Sequence, residues 1–235
     1  MKYLATVAAL LLSQTVISAA MASAPAAAPQ VAQTQVSSAA AAIPSTDATK
    51  WDEKATYPTD IVIGNADAPV TIVEYGSLTC PHCAAFQNKK FPELKKEWID
   101  SGKVKLVFRH FPIDMTAMGA AVLVSCLPEQ DRHAGVDALY KDINSWATKA
   151  LKESIPDAFS KALGRELEFT KDFNSCVQDE DFQKEVLRPA FDANQQGVSG
   201  TPTFFINGEK FVGYSEADPR QIDNIIIRKL GEIKN

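Results

Sequence analysis

The chain has 235 residues, 46% of them hydrophobic, with a net charge of −5 at neutral pH. That apolar content can bury a core in the roughly 185 residues that remain after an N-terminal leader and tail are set aside, and it excludes a disordered polymer. The mildly acidic balance offers no clustered basic face and speaks against nucleic acid as a partner.

In chain order, Met1-Lys2 gives a positive start. Leu4 to Leu12 is almost wholly apolar, and small residues run on to Ala24. Residues 1–22 read as a secretory signal peptide with cleavage near Ala22 or Ala24. Ser13-Gln14-Thr15 cuts the apolar run too short to span ~30 Å of hydrocarbon, which counts against a membrane anchor. No cysteine follows for a lipid anchor. Residues 23–50, rich in Ala and Pro with almost no charge, read as a disordered linker. The protein is therefore expected in the periplasm, free of the membrane after cleavage.

Asp60–Gly64 is a short strand, and Val70–Tyr75 is a near-continuous β-prone run of the kind covered on both faces. A helix starts at Pro81, with Phe91, Leu94 and Trp98 on one face, a kink at Pro92 and a stop at Gly102. Val104–Arg109 alternates as a strand. Strand, helix, strand suggests a crossover in a partly parallel sheet. Residues 113–194 show helical periods instead: Val136, Leu139, Tyr140, Ile143 and Trp146, then Ile155, Phe159 and Leu163, then Phe173, Cys176 and Val177. Thr203–Ile206 returns to strand, Asn207-Gly208 is a hairpin turn, and Lys210–Gly213 is its partner strand. A last helix follows Asp218-Pro219. The layout is one α/β sheet domain, 51–112 and 195–235, holding a helical insertion, 113–194.

The chemistry points to Cys80-Pro81-His82-Cys83. Cys80 falls at the helix start, where unpaired N–H groups and the helix dipole favour an anion. Its thiol should ionise below the ~8.5 of a free cysteine, and His82 can add a hydrogen bond or a charge. Cys83, one turn on, should be the shielded partner and Cys80 the exposed one. Stabilising the thiolate stabilises the reduced form, so such a pair oxidises others. Zinc would want further paired ligands, and His110 and His133 lack the spacing. Haem attachment would need histidine at position 84, which is alanine. No metal and no cofactor is implied.

The run Glu74–Cys83 looks like the active-site segment of the thioredoxin superfamily, and its CPHC resembles the DsbA group. Gly197–Gly208, with Thr201-Pro202, is similar to that superfamily's cis-proline loop. The resemblance covers about 55–235 and implies a thioredoxin fold with an inserted helical domain. It implies that Pro202 is cis beside the cysteine pair and that the Thr201 backbone pairs with an extended substrate chain. It also implies that Glu74 is a buried acid exchanging protons with Cys83. Many DsbA oxidases of proteobacteria carry valine where this chain has Thr201, which bears on substrate preference. The implied activity is a dithiol oxidase that makes disulfides in reduced exported polypeptides. It would be reoxidised by a quinone-linked membrane partner of the DsbB type and act as a monomer. A disulfide isomerase or reductase of the same fold is the alternative, although 23–49 lacks the heptads of an oligomerising stalk.

Cys126 and Cys176 remain. As a structural disulfide they would close a loop of about 50 residues, valued at roughly 4 kcal/mol, and they resemble a second bridge in some DsbA-like proteins. As free thiols they would risk mispairing, and a regulatory redox role is the third reading.

Overall fold

The computed structural model describes residues 56–147 and 171–233. The signal peptide, the linker and the helical period at Ile155–Leu163 lie outside them.

Five strands form one sheet in the order β1-β3-β2-β4-β5. They are β1 (Ile61–Ile63), β2 (Val70–Gly76), β3 (Val104–His110), β4 (Thr203–Ile206) and β5 (Glu209–Val212). β2 and β3 run parallel and the other pairs antiparallel. β2 reads as continuous apolar sequence because it is central and covered on both faces. On one face Val70, Ile72, Leu106, Phe108, Phe204 and Ile206 meet Phe86, Leu94 and Trp98 of the crossover helix and Ile226 of the last helix. On the other face Val73, Tyr75, Val107 and Phe205 meet Ala193 and Val198. β5, at the edge, alternates between half-buried and exposed. The hairpin turn uses left-handed backbone at both positions, φ 43° at Asn207 and 81° at Gly208, as a two-residue loop with right-handed strand twist demands.

The crossover is a single helical path in four pieces. α1 (Pro81–Ala85) passes into a π-helical turn, Phe86–Lys90, then α2 (Phe91–Leu94) and a second π turn, Lys95–Ile99. Pro92 has no N–H to give the preceding turn, and the widened turns on either side of α2 absorb that loss. The buried Lys90 ammonium pairs with Asp223, which also accepts from Trp98 Nε1 at 2.9 Å. This ties the crossover to α8 (Gln221–Ile233).

Between β3 and β4 the described residues are helical: α3 (Met115–Ser125), α4 (Glu129–Lys141), α5 (Ile143–Trp146), α6 (Lys171–Gln178) and α7 (Glu180–Gln195). Cys126, capping α3, is bonded to Cys176 of α6, with Cα atoms 5.9 Å apart. Ala121, Val122 and Val186 pack around this link.

Candidate active site

Cys80 is the N-cap of α1. Its backbone is extended (φ −81°, ψ 120°), no side chain caps the helix, and Pro81 takes the first helical position, where no N–H is needed. The helix therefore opens with its N–H donors free to face the Cys80 sulfur, and the N–H groups of His82 and Cys83 do so. Pro81 and the His82 ring are exposed. His82 helps through its backbone N–H.

Both cysteines are buried thiols, Cys80 at 4% exposure and Cys83 at 0%. The expected contrast of an exposed and a shielded cysteine is corrected: the loop Gly200–Thr203 closes over Cys80. The Thr201–Pro202 peptide is cis, and the Cys80 thiol donates to Thr201 O at 3.3 Å. Cys83 is still the more deeply covered of the two, as expected, and the sulfurs differ further in electrostatics. A hydrogen bond from the Cys83 thiol is the largest cause lowering Cys80 to a pKa of about 5. Burial opposes it, while the Thr201 side chain and the two backbone N–H groups add to it. Thr201 thus offers its carbonyl to the thiol and its hydroxyl to the thiolate. Cys83 is pushed well above the ordinary thiol range, first by burial, then by its bond to Cys80 and by the nearby Glu74 charge.

Glu74, on β2, is fully buried, and neither carboxyl oxygen has a hydrogen-bond partner. Burial, with the Cys80 charge second, raises its pKa to about 8. It sits between Phe108 and Phe204 of the flanking strands, and no hydrogen bond holds its anion.

The structure thus gathers Cys80, Cys83, Glu74, Thr201 and Pro202 at the carboxyl end of β2 and the start of β4. Cys126 and Cys176 are not part of this site; they are bonded to each other in the insertion. Two further groups reach the site that sequence reasoning did not single out. Tyr140 of α4, read only as a core position, is 1% exposed with its hydroxyl 3.0 Å from Ser77 O. Thr79, just before Cys80, donates to Asp114, the N-cap of α3, at 2.6 Å. No local pattern marks either one, because both contacts join segments far apart in sequence. Among the described residues no group of three or more His, Cys, Asp or Glu side chains could hold a metal ion.

A parallel β-helix-β crossover that opens on a buried dithiol, faced by a cis X–Pro loop and backed by an unpaired acid, defines a DsbA-like protein of thioredoxin fold. The chain belongs to the thioredoxin family: the family described as Thioredoxin matches residues 56–226. A relative from Rickettsia bellii, provisionally named a protein-disulfide oxidoreductase, is 29% identical over 158 residues; these are 66% of this chain and 60% of that protein. The chain thus spans less than two thirds of that relative. A relative from Bacillus cereus, provisionally named disulfide bond formation protein D, is 33% identical over 168 residues, covering 68% of this chain and 75% of that protein. Among solved structures, Wolbachia pipientis alpha-DsbA1 is similar at a TM-score of 0.64 and 30% identity, over 75% of this chain and 94% of that one.

Proposed function

We propose that this chain is a thiol–disulfide oxidoreductase working as a dithiol oxidase. It makes disulfides in reduced, newly exported polypeptides. The observation that carries the reading is the place of Cys80 at the open N-terminus of α1, with its thiol on Thr201 O at 3.3 Å and Cys83 fully buried behind it; the Cys80 thiol is accordingly lowered and Cys83 pushed well up. A stabilised thiolate lowers the free energy of the reduced form and so makes the oxidised form a strong acceptor of electrons.

In the oxidised protein a substrate thiolate attacks Cys80 and forms a mixed disulfide as the Cys80–Cys83 bond breaks. Cys83 leaves with the electron pair. A thiol of such high pKa is a poor leaving group unless it is protonated as it departs. Glu74, neutral at pH 7 with its pKa of about 8, is the proton source in this reading. A second substrate thiolate then attacks the substrate sulfur and expels Cys80 as a thiolate, a good leaving group. The substrate has lost two electrons and gained a disulfide, and the pair is left reduced. In this reading the Thr201 backbone, beside Cys80, pairs with an extended substrate chain. Pro81 and the His82 ring, both exposed, would form the surface that a substrate meets.

The same reading places the protein in the periplasm after removal of residues 1–22, with 23–50 as a tether, acting as a monomer. A quinone-linked membrane protein of the DsbB type would reoxidise it. No described helix is long and apolar enough to cross a membrane. In this reading 51–112 and 195–235 are the thioredoxin-like domain and 113–194 an insertion whose described residues are helical and stapled by Cys126–Cys176.

The test is oxidation of a reduced, unfolded disulfide protein by the oxidised chain. Stoichiometric disulfide transfer that is lost in Cys80→Ser supports the oxidase. Transfer only in the reverse direction, or a gain only with scrambled disulfides, would replace it with the reductase or isomerase.

A further inference from the structure

Ser77 is a junction. Its carbonyl oxygen accepts the Cys80 N–H at 3.0 Å and the Tyr140 hydroxyl at 3.0 Å. Its own N–H reaches the Cys83 sulfur. Its hydroxyl is 3.3 Å from Thr79 Oγ1 and accepts the Ile113 N–H at 3.4 Å. One residue therefore touches both cysteines and is held by the helical insertion at two points, Ile113 before α3 and Tyr140 on α4.

The position of Tyr140 is itself fixed. Asn88 Nδ2, on the crossover helix, donates to Tyr140 O at 2.7 Å, and one residue before it Gln87 Nε2 donates to Asp137 at 2.7 Å. Gly76 leaves room for the hydroxyl, since a Cβ there would stand 3.2 Å from the Tyr140 oxygen and 2.4 Å from the Phe108 ring. The hydroxyl also reaches Cys83, with Glu74 and Cys80 nearby. Burial first, then these three groups, keep its ionisation well above the ordinary range. Tyr140 thus keeps its hydroxyl proton and stays a hydrogen-bond donor to Ser77 O.

We propose that Tyr140 is a positioning residue for the exchange reaction. Its hydroxyl, donated from the helical insertion to Ser77 O, fixes the turn that presents backbone donors to the two sulfurs, and so sets the reduction potential of the pair. The inference rests on the exchange chemistry proposed above for Cys80 and Cys83. Without the hydroxyl, the Ser77 carbonyl keeps one donor and the peptide before Cys80 is freer to turn. The N–H bond to the Cys83 sulfur and the helix entry at Cys80 both slacken. Those contacts favour the reduced, thiolate form, so their loss makes the protein a weaker oxidant.

The experiment uses the full chain with Tyr140→Phe, equilibrated with mixtures of reduced and oxidised glutathione. Two glutathione thiols are oxidised to one disulfide as the Cys80–Cys83 bond is reduced. The expected result is a shift of about two- to tenfold in that equilibrium toward the protein disulfide, the range spanned by one buried hydrogen bond. The Cys80 titration, followed by thiolate absorbance, should also move upward. A side chain that only fills the core would lower thermal stability of both redox forms and move neither readout. An unchanged equilibrium and titration overturn the proposal. If Tyr140→Phe does not fold, Asn88→Ala decides. Asn88 is exposed and anchors the Tyr140 backbone, so its loss should shift the equilibrium the same way, and no shift overturns the proposal. A wild-type chain with no measurable exchange with glutathione would instead refute the exchange reading and take this inference with it.

Discussion

Glu74 and Cys83 are both at 0% exposure, and the buried Glu74 carboxyl lies close enough to raise the Cys83 thiol by its charge. Burial is the main reason the Cys83 thiol stays protonated, and the Glu74 carboxyl beside it is another. The proposed chemistry follows from this relationship: an acid that holds its proton at neutral pH stands next to a sulfur that must receive one.

Replacing Glu74 tests that cost. The carboxyl ionises at about 8 when folded and near ~4.3 when unfolded. Stability is therefore full below ~4.3 and falls as pH rises toward 8. Glu74→Met should stabilise the protein on the order of 2 kcal/mol at about pH 7 and leave it unchanged near pH 4. Denaturant melts at the two pH values check this. An equal gain at both would mean that packing, not ionisation, is responsible. Glu74→Met should also slow disulfide transfer.

Cys80 has the opposite sign. Its thiol ionises at about 5 in the folded reduced protein and near ~8.5 unfolded. The stabilisation of the reduced form is present in full above ~8.5 and is lost as pH falls to about 5. The oxidised form has no such group. The melting temperature of the reduced form should rise relative to the oxidised form between about pH 5 and ~8.5, and that pH-dependent rise should be absent from Cys80→Ser, which has only the dithiol-like state. A thiolate midpoint near 8 would remove the basis of the oxidase reading.

His110, at the end of β3, is a second buried group without a partner at Nε2. Burial, and secondarily the Arg132 charge, hold its pKa down at about 3. Unfolded, it takes a proton near ~6.5, so stability is full above that value and erodes as pH falls toward 3. His110→Leu should narrow the gap between melts at about pH 8 and pH 5 by about 1–2 kcal/mol. An undiminished gap would assign acid sensitivity elsewhere.

Lys90 and Asp223 form a buried ion pair between the crossover helix and α8. Lys90→Met leaves the Asp223 charge uncompensated and should cost about 3–5 kcal/mol. Adding Asp223→Asn, which keeps an acceptor for Trp98 Nε1, should restore most of that loss. Chemical denaturation of the single and double variants measures it, and additive losses would contradict the pairing.

Cys126 and Cys176 close a loop with a sequence separation of 50. Cys126→Ala/Cys176→Ala should lower stability by about 2–4 kcal/mol while disulfide transfer by Cys80 persists. Loss of transfer with stability intact would point to a regulatory role instead.

The sequence by itself determined the local events. The apolar run Val70–Tyr75 announced a central strand, Asn207-Gly208 a tight hairpin, and Cys80-Pro81 a helix opening on a thiol. Each is a property of a few adjacent residues and of the backbone angles they allow. Tertiary structure decided what surrounds the pair. Cys80 is covered because the Thr201–Pro202 loop, 121 residues away, folds onto it. Tyr140 looked like one more apolar position on α4, because helical periodicity reports which face is buried and not what a buried hydroxyl touches. Its partner Ser77 lies 63 residues away, and only the packing of α4 on the end of β2 brings the two together.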